Sequence, residues 1–243
     1  MAKNRMYLYG KNSVMERLNA DSPSIRRIFL QDNFKDPEIE KAISAASIQV
    51  SRTDEKGLLR IKPADRLQGI VAEIDKYIYT PFEKLLRLPE KERPVFIFLD
   101  SLNDPHNLGS IMRTAACLGG FAVVIPEHGS CEVNETVIHV ASGGENYVPV
   151  SMVTNLSQAL LKAKEAGYWA VGTVVEGGED INRVSLPFPL CLILGSEGKG
   201  VRHGIQKHLD LKVTLPMKGA QLSLNVAMAA AIFCHEITRQ RGF

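Results

Sequence analysis

Five polar residues stand out by type and setting. Asn107 and Arg113 lie six positions apart in DPHNLGSIMRTAACLG (104–119), Glu197 lies in LILGSEGKGV (192–201), and Ser223 and Asn225 precede an alanine-rich stretch in LPMKGAQLSLNVAMAAAIFCHEITRQR (215–241). A guanidinium can hold a phosphate through two parallel hydrogen bonds and can stabilise a developing oxyanion. Amide and hydroxyl side chains can orient a reacting group or cap a helix. Other chemistries lack their signatures. There is no G-x-S-x-G, no H-E-x-x-H and no close carboxylate pair with acid–base geometry. The six histidines show no ligand or triad spacing, although His106 lies in a loop where it could touch a ligand. The four cysteines, Cys117, Cys131, Cys191 and Cys234, form no C-x-x-C pair.

Each of the three stretches also has a plainer reading. Leu108, Ile111, Met112, Ala115 and Leu118 fall on one helical face, and Ser110, Arg113, Thr114 and Cys117 on the other, so Arg113 could be a solvated residue of an amphipathic helix. Asn107 could cap that helix, and Gly109 allows close approach of a backbone or a ligand. The second stretch has the order GxxGxG, which is neither a Walker A loop nor the dinucleotide fingerprint. Glu197 within it would repel a phosphate. A ligand with no phosphate and some positive charge fits better, and S-adenosylmethionine, a sulfonium, has those properties. The alternative is a tight turn that uses glycine for positive φ. In the third stretch Ser223 or Asn225 could cap a helix from about Ser223 to Arg241, whose alanines suit helix packing.

The elements that would position these groups follow from hydrophobic periodicity. Residues 1–75 read as a small α/β unit, with helices over 10–18, 36–46 and 53–60 and strands over 26–30, 48–51 and 68–74. Residues 76–94, with Pro81, Pro89 and Pro94, read as a linker that includes a short helix at PFEKLLRL. Residues 95–243 read as a larger α/β domain. Its strands are VFIFLD (95–100), FAVVIP (121–126), YVPVSMV, YWAVGTVV, LCLILG (190–195) and LKVTLP (211–216), alternating with helices. One of those helices spans VNETVIHVASGG (133–144) and ends in glycines. This alternation predicts a mainly parallel sheet covered on both faces. Ligands of such sheets sit beyond the carboxyl ends of the strands. The loops at 100–110, 195–200 and 216–225 should therefore meet.

Composition sets outer bounds. The 243 residues carry a formal net charge of +2. The basic excess belongs to residues 1–75, with 13 Lys and Arg against 11 Asp and Glu; the remainder has 16 of each. No apolar run is long enough to span a membrane. MAKNRMYLYG contains no apolar signal core, so a reduced, cytoplasmic protein is expected.

Together the three long motifs, in their order and spacing, resemble those of the SpoU (TrmH-type) RNA 2′-O-methyltransferases of the SPOUT class, over about residues 95–243. YGKNSVMERL and the later QGI resemble, more briefly, the small ribosomal-protein-like RNA-binding domain of the RlmB type. The resemblance implies a deep trefoil knot in the C-terminal domain, a homodimer formed through it, no metal, and S-adenosylmethionine as cofactor. It places cofactor contacts at Gly195, Leu215 and Leu224, with Ser196, Glu197, Met217 and Ser223 beside them. The polar active-site positions fall on Asn107, Arg113, Glu197, Ser223 and Asn225. Ala227 departs from the motif, where NVS is common. The RNA partner is structured ribosomal RNA, with a guanosine of the large-subunit RNA as target; candidate contacts are Arg26, Arg27, Lys56, Arg60, Lys62 and Arg66. Alternatives are a tRNA 2′-O-methyltransferase, a non-catalytic RNA-binding protein that keeps the knot, and a nucleotide-dependent oxidoreductase, which the missing GxGxxG disfavours. In the implied reaction a ribose 2′-hydroxyl attacks the methyl carbon in line. Arginine is a poor general base, so Arg113 is expected to grip the neighbouring phosphate and stabilise the forming alkoxide.

Overall fold

A computed structural model describes residues 5–196, 200–219 and 222–242. The chain begins with β1 (Arg5–Tyr9), α1 (Lys11–Asp21), β2 (Ile25–Gln31), α2 (Pro37–Ala45), β3 (Val50–Thr53), α3 (Glu55–Ile61) and β4 (Ile70–Asp75). The strands form a mixed sheet of order β1-β4-β2-β3, in which β4 runs antiparallel to both neighbours and β2 parallel to β3. Asp36 caps α2 by accepting from the Ile39 amide, and Asp54 caps α3 by accepting from the Gly57 amide. Along β4, Ile70, Ala72 and Ile74 enter one core while Val71 joins Leu58 and Leu67 on the opposite face, as the two-residue period of a strand requires. Sequence periodicity did not mark β1, in which only Met6 and Leu8 are buried.

The chain continues through α4 (Phe82–Leu86), β5 (Val95–Leu99), α5 (Pro105–Leu118), β6 (Phe121–Pro126), α6 (Glu135–Ala141), β7 (Val150–Val153), α7 (Leu156–Glu165) and β8 (Trp169–Thr173). It ends with β9 (Glu179–Asp180), β10 (Leu190–Leu194), α8 (His203–Gln206), β11 (Leu211–Thr214) and α9 (Val226–Arg241). The seven strands have the order β7-β6-β5-β10-β8-β11-β9, and every pairing is parallel. All five residues of β5 are buried. Val95, Ile97 and Leu99 enter the core that holds Ile111 of α5 and Phe233 of α9; Phe96 and Phe98 enter the core that holds Phe82 of α4 and Leu160 of α7. Helices cover both faces, so the strand has no polar side and reads as one apolar run. Burying each such side chain contributes roughly 1.5–3 kcal/mol.

Three helix ends differ from the sequence reading. Asp104, not Asn107, caps α5: its Oδ1 accepts from the His106 amide at 2.8 Å, and Pro105 occupies the first turn. Proline suits that position because its missing N–H would have no helical partner there. Asn225, one of the two candidates, caps α9, which begins at Val226 and not near Ser223. Helix α6 stops at Ala141, where Ser142 adopts a left-handed conformation, before the glycines are reached.

The two sheet units share one continuous apolar core, which runs from Leu8 and Ile28 to Ile111 and Val137. Tyr9 stacks on His139 of α6 at 4.1 Å between centroids. Glu135 accepts from the Tyr7 amide at 2.6 Å and pairs with Lys62.

Candidate active site

The parallel sheet places the ends of β5, β10 and β11 on one side, and their loops meet there. The first junction is Asp100, which is fully buried just beyond β5. Its carboxylate accepts from the Arg202 amide at 2.8 Å and from Arg202 Nε at 2.6 Å. This ties the far side of the glycine-rich loop to the segment that leads into α5. The loop closes on itself: Gly200 N donates to Ser196 O at 2.9 Å. A methyl group at Gly195 would lie 2.0 Å from the Gly200 carbonyl carbon, so only glycine permits this approach. The sequence reading missed the Asp100–Arg202 pair; a lone aspartate at the end of a buried strand was the available signal.

The second junction joins α5 to α9. Asn225 Nδ2 donates to Asn107 Oδ1 at 2.9 Å, while Asn225 Oδ1 accepts from the Ala227 and Met228 amides. Asn107 is buried. One amide side chain thus serves as helix cap and as the bridge between the first and third motifs.

The loops after β10 and β11, with the end of β8 and the start of α9, line a cavity of about 400 Å³, within the usual range of small-molecule sites. Gly195, Ser196, Leu215, Met217 and Leu224, the expected cofactor positions, all line it, as does Ser223. Val226 and Phe233 of α9 and Thr173 at the end of β8 complete the wall. Among the described residues, no Lys, Arg or His lines it. A wall of apolar side chains and a few hydroxyls, with no cation among its described residues, suits a sulfonium nucleoside. Glu197 lies outside the described residues.

Arg113 does not line that cavity. It is exposed on α5 and makes no hydrogen bond or ion pair with the described residues. It shares a helical face with Gly109, four residues earlier. Gly109 lets α6 approach, since a methyl group there would lie 2.7 Å from the Val137 carbonyl oxygen. The close partner is therefore α6, through the Val137 carbonyl and the Val140 side chain, and not a ligand. A methyl group on Gly144 would lie 3.0 Å from Arg113 Cα. Thus Arg113 emerges beside α6 and the turn at 143–146.

The six basic candidates of the N-terminal unit divide in two. Arg26 is engaged by Asp75, Arg27 by Gln49 and Lys62 by Glu135. Lys56, Arg60 and Arg66 are exposed and make no hydrogen bond or ion pair with the described residues. Among the described residues no cluster of His, Cys, Asp and Glu could hold a metal ion, and no helix is long and apolar enough to cross a membrane.

The fold is that of known methyltransferases. The SpoU methyltransferase AviRb of Streptomyces viridochromogenes, solved in complex with AdoMet, superposes with a TM-score of 0.82 over 98% of this chain and 90% of its own, at 20% identity. The chain belongs to the SpoU rRNA methylase family, whose model matches residues 94–235, and is an S-adenosylmethionine-dependent RNA 2′-O-methyltransferase. Residues 7–80 match the substrate-binding family of RNA 2′-O ribose methyltransferases. It is 36% identical to the 23S rRNA (guanosine-2′-O-)-methyltransferase RlmB of Ralstonia nicotianae, over 100% of this chain and 98% of that protein. The RlmB of Neisseria meningitidis is 34% identical over 98% of this chain and 96% of its own.

Proposed function

We propose that this protein methylates the ribose 2′-hydroxyl of a guanosine in 23S ribosomal RNA. The likeness to RlmB proteins over the full length supports that target. The observation that carries the site assignment is the Asn107–Asn225 bridge between the first and third loops, beside a cavity in which no described lining residue is a cation.

In this reading Gly195, Ser196, Leu215, Met217 and Leu224 hold S-adenosylmethionine, which supplies an activated methyl group when bound. Arg113, exposed and uncommitted to any described residue, grips the phosphate next to the target ribose and stabilises negative charge as the hydroxyl loses its proton. Asn107 and Asn225 orient the sugar, with Ser223 and Glu197 completing the polar set. A guanidinium is fully protonated in proteins, so Arg113 acts by charge and geometry rather than as a base.

The finer architecture belongs to the same proposal. The segments after β10 thread as a deep trefoil knot, a reading supported by family membership and by the shared cavity of loops 195–202 and 215–225. Met228 and Ile232, exposed one turn apart on α9, support a homodimer through this domain. Residues 1–75 bind RNA, 76–94 link, and 95–243 carry the chemistry in a cytoplasmic enzyme.

Mapping 2′-O-methyl groups in RNA from a strain lacking the protein tests the target. One guanosine of 23S rRNA is expected to lose its methyl group. Loss confined to a tRNA would replace this target with the alternative one.

A further inference from the structure

The contact between α1 and the turn at 144–146 contains a buried ion pair. Arg17 of α1 reaches Glu145 with Nη2 3.2 Å from Oε1; the Glu145 side chain is fully covered and that of Arg17 is 10% exposed. The other oxygen of Glu145 accepts from the Gly143 amide at 3.1 Å. Burial pushes the Glu145 carboxyl up, and Arg17 draws it back toward the ionised form.

The turn bearing Glu145 is held between α1 and α5. A methyl group on Gly143 would lie 2.5 Å from Glu16 Cβ of α1, and one on Gly144 would lie 3.0 Å from Arg113 Cα of α5. Gly143 thus packs directly on the Glu16 side chain of α1, and Gly144 directly on the backbone that carries Arg113. Glu16 also accepts from the Tyr147 hydroxyl at 2.8 Å. The turn therefore touches α1 on one side and the backbone of Arg113 on the other.

A buried ion pair adds little net stability over an apolar pair of the same volume, because both charges lose their hydration. What it adds here is a directional contact that fixes how the two units meet. We propose that Arg17 and Glu145 are positioning residues for methyl transfer: they hold the RNA-binding unit in the one pose that presents the target ribose to Arg113. This rests on the reading of residues 1–75 as the RNA-binding unit.

The test uses the full-length protein and its ribosomal RNA. In Glu145→Gln, the turnover number should fall about tenfold or more, since small misplacements are costly to catalysis. RNA affinity should stay within about threefold and S-adenosylmethionine affinity within about twofold, because neither binding surface is touched. Arg17→Lys keeps the charge and should recover part of the lost turnover relative to Arg17→Met, which also serves if Glu145→Gln fails to fold. Unchanged turnover in folded Glu145→Gln and Arg17→Met would overturn the proposal. So would a loss of RNA affinity at unchanged turnover, which would make the pair part of the binding surface. In the full-length protein, RNA affinity unchanged when Lys56, Arg60 and Arg66 are replaced together by alanine would instead refute the RNA-binding reading itself.

Discussion

Asn225 Nδ2 donates to Asn107 Oδ1 at 2.9 Å, so the cap of α9 is also the link to the first turn of α5. The two roles can be separated. Asn225→Ala removes both, and the lost cap alone costs about 0.5–2 kcal/mol. Asn225→Asp keeps the capping oxygen but turns an acceptor toward Asn107. Thermal melts should show Asn225→Ala less stable and Asn225→Asp close to wild type. Turnover should fall in both; full turnover in Asn225→Asp would remove the link from the mechanism.

Arg113 stands outside the cavity proposed to hold the cofactor and makes no ion pair with the described residues. Arg113→Ala should therefore lower turnover by roughly 100-fold or more, the scale of losing one oxyanion donor, with S-adenosylmethionine affinity unchanged by calorimetry. Arg113→Lys should also be poor, because lysine lacks the planar fork.

Lys56, Arg60 and Arg66 are uncommitted to described residues, whereas Arg26 is held by Asp75 and Arg27 by Gln49. Replacing the first three with alanine should weaken RNA binding. Each phosphate that loses its cation should reduce the log–log salt slope by about 1. Alanine at Arg26 and Arg27 should change the slope less. Filter binding across a salt series measures both.

His139 stacks on Tyr9 between the two units, with Lys62 and His106 as nearby basic groups. Burial, aided by Lys62 and His106, holds its pKa below the ordinary 6.5. The unfolded chain therefore binds this proton more readily than the folded one, so stability from His139 is present above pH 6.5 and is lost as pH falls below it. His139→Phe keeps the stacking and should flatten the decline of melting temperature as pH falls below 6.5. An unchanged slope would show that other groups govern it.

Much of this was legible in the sequence where local rules and tertiary contacts agree. The apolar run of β5 announced a strand covered on both faces, and the α5 pattern correctly put Ile111 inward and Arg113 outward. The convergence of the three loops followed from strand direction alone. The helix cap was misread because Asn107 looked suitable, while Asp104 before Pro105 was the stronger pair of signals. Arg17 and Glu145 were not legible at all: nothing local marks two charged residues 128 positions apart as a buried pair. His139 was set aside for lack of ligand spacing, yet its role is packing between units, which spacing does not report.

The central claim is methyl transfer to ribose, with Arg113 as the essential charge. It is tested most directly by incubating purified protein with labelled S-adenosylmethionine and unmodified 23S rRNA, then digesting the RNA to nucleosides. The account predicts label in 2′-O-methylguanosine with the wild-type protein and almost none with Arg113→Ala. Label on a base, no label from the wild-type protein, or near-normal transfer by Arg113→Ala would contradict it.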